Sequence, residues 1–372
     1  MIRVGITGQA GFIGTHLYNY LRLFPEKFGL ISFRDEIFED PVGLKAWVSR
    51  CDAIVHLAAL NRHHDPGEIY RTNLGLVSDL IQAMESAGVT PHVLFSSSTQ
   101  EDFDNPYGKS KKEGRELFLE WSGRSGAAFT GLVIPNVFGP FGNPYYNSVV
   151  ATFCHQLNHG ETPRIEVDKE LKLIYVGELV EVIRKCIADG TTGAEYRVPH
   201  TTECTVSEIL QLLESYRSTY VDKGVIPTLR NDFERNLFNT FRCYMDIPGH
   251  YPVGLKQHTD DRGSFVETMH LGIGGQVSFS TTRPGITRGD HYHTRKIERF
   301  AVIRGKAVIR LRRIGTGQVH EFHLDGTRPS YVDMPVWYTH NITNTGDTDL
   351  YTLFWINEFY DPTDPDSYHE EV

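Results

Sequence analysis

Strand and helix patterns alternate from residue 2 to about residue 215, and beyond about residue 255 the helical pattern stops. Residues 2–7 (Ile-Arg-Val-Gly-Ile-Thr) form a short strand of buried type, 11–23 have helical spacing, and 30–33 return as a strand. Further apolar runs at 53–57, 93–96 and 131–134 are separated by helical patterns. Such alternation builds βαβ units, and it predicts an α/β, doubly wound parallel sheet covered on both faces over residues 1–245. The later runs, at 275–280, 299–303, 307–314, 331–334 and 351–355, are punctuated by glycine, proline and aspartate. They predict an all-β sandwich or barrel over residues 255–372. The stretch 236–253, with Pro248-Gly249 and Tyr251-Pro252, reads as the connection, and the acid- and proline-rich 361–372 as a surface tail.

A chain of 372 residues is long enough for two such cores. Its formal charge of −10 argues against nucleic acid or an anionic membrane surface as partner. The five cysteines, Cys51, Cys154, Cys186, Cys204 and Cys243, are odd in number and show no C-x-x-C spacing. They read as buried thiols in a reducing compartment. No apolar run approaches the ~20 residues of a membrane span, and the opening residues run into a strand without a signal-peptide pattern. A soluble cytoplasmic protein is the expectation.

Gly8-x-x-Gly11-x-x-Gly14 follows the first strand and opens the first helix. Glycines in that place let the backbone turn tightly and approach a pyrophosphate, which the free N–H groups of the helix start then bind. After the second strand comes Ser32-Phe33-Arg34-Asp35. Arg34 suits the 2′-phosphate of NADP and Asp35 the ribose hydroxyl of NAD, so NADPH is favoured over NADH without excluding it. In Asn105-Pro106-Tyr107-Gly108-Lys109-Ser110-Lys111, Asn105 is a good N-cap and Pro106 suits the first helical position. Tyr107 and Lys111 then share one helix face, where the ammonium is expected to lower the phenol's pKa for proton transfer near neutrality. A serine from Phe95-Ser96-Ser97-Ser98, at a strand end, can hydrogen-bond a substrate oxygen. Taken alone, Tyr-x-x-x-Lys is more often a solvated helix face; behind a glycine triplet and a serine cluster it points to chemistry.

These residues resemble the extended short-chain dehydrogenase/reductase family, which includes nucleotide-sugar epimerases and reductases. The likeness covers roughly residues 1–240, through the glycine loop, Val55-His56-Leu57-Ala58-Ala59, Asn73, Ser98, Tyr107 with Lys111, and Ile134-Pro135-Asn136-Val137-Phe138-Gly139-Pro140. It implies a Rossmann-type sheet with Gly8, Gly11, Phe12, Ile13, Gly14, Arg34, Leu57 and Ala58 at the cofactor. Tyr107 would be the proton donor to a carbonyl that takes hydride from NAD(P)H, Lys111 would hold the nicotinamide ribose, and Ser98 would orient the carbonyl oxygen.

In the β-rich half, His291 and His293 alternate along a strand and Glu298 follows a turn; His340 lies further on. Three imidazoles and a carboxylate suit Zn²⁺, Fe²⁺, Mn²⁺ or Ni²⁺. Any one of these histidines alone would more often be a structural residue. The run from Gly285 to Gly305 resembles the first cupin motif, G-x5-HxH-x4-E-x6-G. Pro335, His340 and Asn344 match the second, where Pro329 and Trp337 stand in place of the usual glycines. The likeness implies an all-β cupin (jelly-roll barrel) domain with a divalent metal, zinc foremost, on His291, His293, Glu298 and His340.

Reductase followed by cupin is similar to the bifunctional capsular-polysaccharide and O-antigen enzymes that make UDP-N-acetyl-L-fucosamine precursors. Asn143-Pro144-Tyr145-Tyr146-Asn147-Ser148, Asp260-Asp261-Arg262-Gly263-Ser264-Phe265 and Asn357-Glu358-Phe359-Tyr360-Asp361-Pro362 also match. The resemblance implies a UDP-sugar substrate, epimerisation at C3 of a UDP-2-acetamido-2,6-dideoxy-4-hexulose by the cupin, and NADPH reduction of its C4 ketone by the first domain. The alternative is a UDP-4-ketosugar reductase whose cupin only binds and dimerises. In the cupin, Lys296, His323 and Tyr338 are equal candidates for proton carrier, and an isologous homodimer is the default assembly.

Overall fold

Strand β1 (Ile2–Thr7) is apolar and buried along Val4–Ile6, and the chain returns to it from both sides. In the computed structural model, the strands β2 (Phe28–Ile31), β3 (Ala53–His56), β4 (His92–Ser98), β5 (Phe129–Ile134) and β8 (Gly193–Arg197) join it in the order β2-β1-β3-β4-β5-β8, all parallel. Helices α1 (Phe12–Leu21), α2 (Pro41–Val48), α3 (Pro66–Ala87), α4 (Pro106–Ser125) and α6 (Val176–Asp189) alternate with the strands. The chain reverses direction across the sheet between β1 and β3, so a crevice opens there at the carboxyl ends of the strands. A small sheet of β6 (Asn136–Phe138), β7 (Glu170–Tyr175) and β9 (Thr202–Thr205) flanks it, with α5 (Val149–Asn158) between β6 and β7 in sequence. The expected Rossmann-type doubly wound sheet is present.

The backbone of every residue but 262, 267, 270, 272 and 273 is described, and at 258–260 and 263–265 the backbone alone. Arg262, within one of the motifs quoted above, therefore lies outside the described residues. The chain divides into two compact units, residues 1–152 with 167–206, and residues 153–166 with 207–372.

In the second unit, α7 (Val206–Tyr216), a π-helical turn Arg217–Val221, α8 (Asp232–Arg242) and α9 (Ile247–His250) precede β10 (Val253–Gly254) and the hairpin β11 (Gln257–Asp260)–β12 (Gly263–Val266). Then follow β13 (Gln276–Thr282), β14 (Thr287–Tyr292), β15 (Glu298–Arg304), β16 (Lys306–Arg313), β17 (Val319–Asp325), β18 (Ser330–Met334), β19 (Tyr338–Asn344), β20 (Leu350–Ile356) and β21 (Tyr368–His369). They form two five-stranded sheets, β10-β18-β15-β20-β13 and β17-β16-β19-β14-β21, the double-sheet construction of a cupin jelly roll.

Two expectations are corrected. Residues 236–253 are no bare connection: α8 buries Leu237, Phe238 and Phe241, and Arg242, 1% exposed, donates to the Met334 carbonyl and the Tyr220 hydroxyl. Tyr220 in turn donates to Asp333, which holds a bidentate pair with Arg299, both nearly inaccessible. Burial opposes the Asp333 carboxylate, but the Arg299 guanidinium keeps its pKa below the usual range. The helices from 207 onward thus pack with the β sheets, because breaking such a buried set leaves an uncompensated charge, at a cost of about 3–5 kcal/mol. Nor is 361–372 a free surface tail, since β21 pairs with β14.

Candidate active site and metal centre

The glycine loop closes on itself at the crevice. Gly8 has φ +64, and a Cβ there would meet the Ala58 backbone nitrogen at 2.8 Å. A Cβ on Gly14 would lie 2.2 Å from the Gly8 carbonyl, so α1 can approach the loop this closely only with glycine there. Gly11 is the N-cap of α1 and provides no capping side chain, and no acid occupies the first turn. The amides at Phe12 and Ile13 thus start a helix whose positive end no side chain satisfies, a fit for a pyrophosphate. Thr7 ties the end of β1 to Leu57 and Ala58 through its carbonyl and hydroxyl. Gln9 of the loop accepts from the Phe33 amide, which brings the end of β2 alongside; Arg34 follows, exposed, as N-cap of the short helix Asp35–Glu39. Every residue expected at the cofactor lies at this loop, at the start of α1, or at the ends of β2 and β3.

Asn105 caps α4 through the Gly108 amide at 2.8 Å, with Pro106 at the first position, as the sequence leads one to expect. Phe118 and Trp121 anchor the inner face of α4 in a core that includes Phe95, Val77 and Phe129. Burying such side chains contributes about 1.5–3 kcal/mol each, enough to fix the helix and whatever it presents. On that same face Lys111 is buried, its Nζ 5.6 Å from the centre of the Tyr107 ring and 5.1 Å from that of Phe95. Burial brings the Lys111 amine down to about 7, against a smaller upward pull from Glu101. Burial pushes the Tyr107 phenol up, and the neighbouring Tyr146 adds to this. The expectation that Lys111 lowers the phenol's pKa is therefore corrected: desolvation and Tyr146 raise it, and burial draws Lys111 itself toward the neutral amine.

The three serines at the end of β4 have different partners. Ser96 donates to the His56 carbonyl, and buried Ser97 donates to Glu101. Ser98, half-buried, accepts from the Gln100 amide, which uses its oxygen and leaves its proton to donate elsewhere. The 3-10 turn Thr99–Asp102 then runs against the start of α4, where a Cβ on Gly108 would strike the Gln100 carbonyl at 2.0 Å. Further residues complete the frame, and of these Glu101, Arg115, Leu60 and Arg62 carried no signal in the sequence. Arg115 forks onto Glu101, and Asn73 bridges the Leu60 backbone to Ser110, whose hydroxyl donates to the Tyr107 carbonyl. Arg62 donates to Asn147 and to the Tyr145 carbonyl, with its guanidinium 5.7 Å from the Tyr146 ring centre.

In the other unit, His291, His293, Glu298 and His340 each bring one ligand atom to a common point, all within 4.8 Å of one another. A bulge in β14 between Gly289 and His291 aims His291 there. It is made by Gly289 at φ +113, where a Cβ would lie 2.6 Å from the His340 carbonyl, and by Asp290 at φ +59. His340 Nδ1 lies 3.2 Å from the Tyr338 carbonyl, and His293 Nδ1 contacts the Asp366 carbonyl. Donation from those nitrogens leaves lone pairs on both Nε2 atoms, each 3.1 Å from Glu298 Oε2. Lone pairs facing a carboxylate repel unless a cation lies among them, and His340 Nε2 is buried with no hydrogen-bond partner among the described residues. The donor set therefore fits a divalent metal of the zinc or iron type. Burial, with His340 and His293 alongside, takes the His291 imidazole down to about 4, so that ring too is neutral and able to bind a cation. His291, half-buried, marks the open side. Trp337, in place of the usual glycine, takes φ +61 and is held by donating to the His293 carbonyl and stacking on Tyr292.

Against known proteins, the NAD dependent epimerase/dehydratase family matches residues 4–198, more than half of the chain. The chain belongs to this family. A further match, to the polysaccharide biosynthesis C-terminal domain, covers residues 258–368 of this epimerase/dehydratase family member. It is 33% identical to a UDP-2-acetamido-2,6-beta-L-arabino-hexul-4-ose reductase of Pseudomonas aeruginosa, over 99% of the chain and 98% of that protein. Among solved structures it is similar to the capsular polysaccharide assembling protein CapF of Staphylococcus aureus, with TM-score 0.63 and 34% identity over all of both chains. RMD of Pseudomonas aeruginosa complexed with NADPH matches with TM-score 0.51 and 25% identity, over 59% of this family member and 82% of that chain.

Proposed function

We propose that the protein is bifunctional: it epimerises C3 of a UDP-2-acetamido-2,6-dideoxy-4-hexulose at the metal centre and reduces the C4 ketone with NADPH at Tyr107, giving UDP-2-acetamido-2,6-dideoxy-talose. The observation that carries the reading is Lys111 packed on Tyr107 beside the Ser98 turn, in a chain that aligns from end to end with a reductase of that ketosugar class. The similarity to CapF and the match of residues 258–368 to a polysaccharide biosynthesis C-terminal domain support a role in building polysaccharide, and the NADPH-bound relative supports the cofactor, as does exposed Arg34 beside the glycine loop.

The ketone must persist while C3 is inverted, so epimerisation precedes reduction. A divalent ion there, proposed as Zn²⁺, would supply Lewis acidity to a bound ketosugar and so acidify the C–H bond next to its carbonyl. His291, His293, Glu298 and His340 hold it, and half-buried His291 leaves the open side to substrate. NADPH, which Gly8, Gly11, Phe12, Ile13, Gly14, Arg34, Leu57 and Ala58 would hold, would supply the hydride. Ser98 donates a hydrogen bond to the C4 oxygen and Tyr107, kept protonated by burial, delivers the proton to that oxygen. Lys111, its Nζ 5.6 Å from the Tyr107 ring centre, would hold the nicotinamide ribose beside it. Exposed Val277 and Phe279 on the edge strand β13 support a homodimer.

The test follows the UDP-4-hexulose by NMR in D₂O, without and then with NADPH. Deuterium enters C3 before NADPH is added, and C4 is reduced afterwards; Tyr107→Phe stops the second event and spares the first. Normal reduction by Tyr107→Phe would falsify the tyrosine's role. Reduction without exchange reduces the cupin to a binding module.

A further inference from the structure

The turn 294–296 links His293 to the strand that carries Glu298, and a residue far along the chain sets its shape. Asp366 is 1% exposed and sits at φ +40, a conformation aspartate tolerates better than most residues. One carboxylate oxygen accepts from the Thr294 amide at 3.0 Å and the Thr294 hydroxyl at 2.7 Å. The other accepts from the amides of Arg295 and Lys296, each at 3.0 Å. Three consecutive amides cradling one anion form a nest, which binds negative charge through fixed backbone dipoles. The carbonyl of the same residue contacts His293 Nδ1, the atom that decides which nitrogen of that ring faces Glu298.

The neighbours of Asp366 pin it from both sides. Toward the N-terminus, the Pro365 carbonyl accepts from Lys296 Nζ at 2.5 Å, and Asp364 pairs with Arg295 at 2.9 Å. Toward the C-terminus, His369 and Tyr368 pair with His291 and Tyr292 of β14, and the Glu370 amide donates to the Asp290 carbonyl in the bulge.

We propose that Asp366 is a positioning residue of the metal centre: its carboxylate fixes the turn between His293 and Glu298 while its carbonyl sets the His293 tautomer. The inference rests on the metal reading above. Asparagine is not an equivalent, because its amide nitrogen would face backbone donors where the structure needs a second acceptor.

The experiment titrates the metal-stripped full-length chain with Co²⁺, reading the visible d–d spectrum, and measures Zn²⁺ affinity by competition with a chromophoric chelator. Asp366→Asn and Asp366→Ala are expected to weaken Zn²⁺ binding by about 10–100-fold, the usual effect of an outer-sphere partner. They are also expected to retain an altered Co²⁺ spectrum at saturation. A chain that is merely less stable would recover the wild-type spectrum once saturated, and that recovery overturns the inference. Thr294→Val removes one of the four donors, and it serves should the Asp366 variants fail to fold; wild-type affinity and spectrum there, with those variants unfolded, likewise overturn it. Unchanged affinity and spectrum in the Asp366 variants sink this inference alone, while a wild-type chain that takes up neither metal sinks the metal reading with it.

Discussion

Lys111 Nζ lies 5.6 Å from the centre of the Tyr107 ring, inside the protein, with its amine shifted to about 7. An unfolded chain would hold that proton up to about 10.5. Between these values the unfolded state binds more protons, so the stability lost to Lys111 is greatest below pH 7 and disappears as pH rises toward 10.5. Lys111→Met is expected to raise the melting temperature at pH 7 and to lose that advantage near pH 10, while NADPH oxidation with ketosugar falls by about 10²-fold or more. Melting curves at the two pH values check the sign, and a variant less stable than wild type at pH 7 contradicts it.

His56 makes a second pH-dependent contribution. Its ring is buried between Phe95 and Phe118, Nδ1 meets the Thr7 hydroxyl at 2.7 Å, and Nε2 has no partner among the described residues. Burial, with a lesser push from Lys111, lowers its pKa to about 3. The folded state therefore keeps His56 neutral while the unfolded state gains a proton below about 6.5, and stability declines as pH falls from 6.5 toward 3. The slope from this residue is about 1.4 kcal/mol per pH unit. Urea unfolding of wild type and His56→Phe at pH 7, 5.5 and 4.5 should show the difference between them shifting in the variant's favour as pH drops; a constant difference would rule it out.

Arg34 tests cofactor choice. With the guanidinium exposed at the end of β2, Arg34→Ala is expected to raise KM for NADPH about 10–100-fold and leave KM for NADH unchanged. Equal losses with both cofactors would show that Arg34 does not contact a 2′-phosphate.

Metal removal tests the proposed division of labour. Dialysis against a strong chelator is expected to abolish deuterium entry at C3, leave NADPH binding intact, and lower the melting temperature of the β-rich unit, because a ligand that binds only the folded state stabilises it. Restoring Zn²⁺ should reverse all of the losses. Full C3 exchange in metal-free protein would dismiss His291, His293, Glu298 and His340 as a catalytic set.

Much of this arrangement can be read from the sequence, because local rules dictate it. Gly8, Gly11 and Gly14 answer to backbone sterics, Asn105 and Pro106 to helix capping, and the spacing of Tyr107 and Lys111 to the helical repeat. The second histidine motif is legible despite Trp337, since packing on Tyr292 and a backbone hydrogen bond hold a conformation that glycine would take without strain. Long-range partners are not legible. Glu101 reaches Arg115 and Ser97 across turns with no periodic signal, and Asp366 meets the 294–296 turn from some 70 residues away. The upward shift of the Tyr107 phenol follows from desolvation by the side chains packed around it and from Tyr146, neither of which the helical spacing reveals.

The contacts among Tyr220, Arg242, Arg299 and Asp333 bear on how such a protein can be cut or recombined. The inherited module that relatives share at 258–368 is smaller than the piece that folds together, which reaches back to Ser207 and takes in residues 153–166. A gene fusion joined at residue 255 would hand its new host a pair of interior charges without their helical cover. Lineages that exchange this barrel intact would have to move its helices with it.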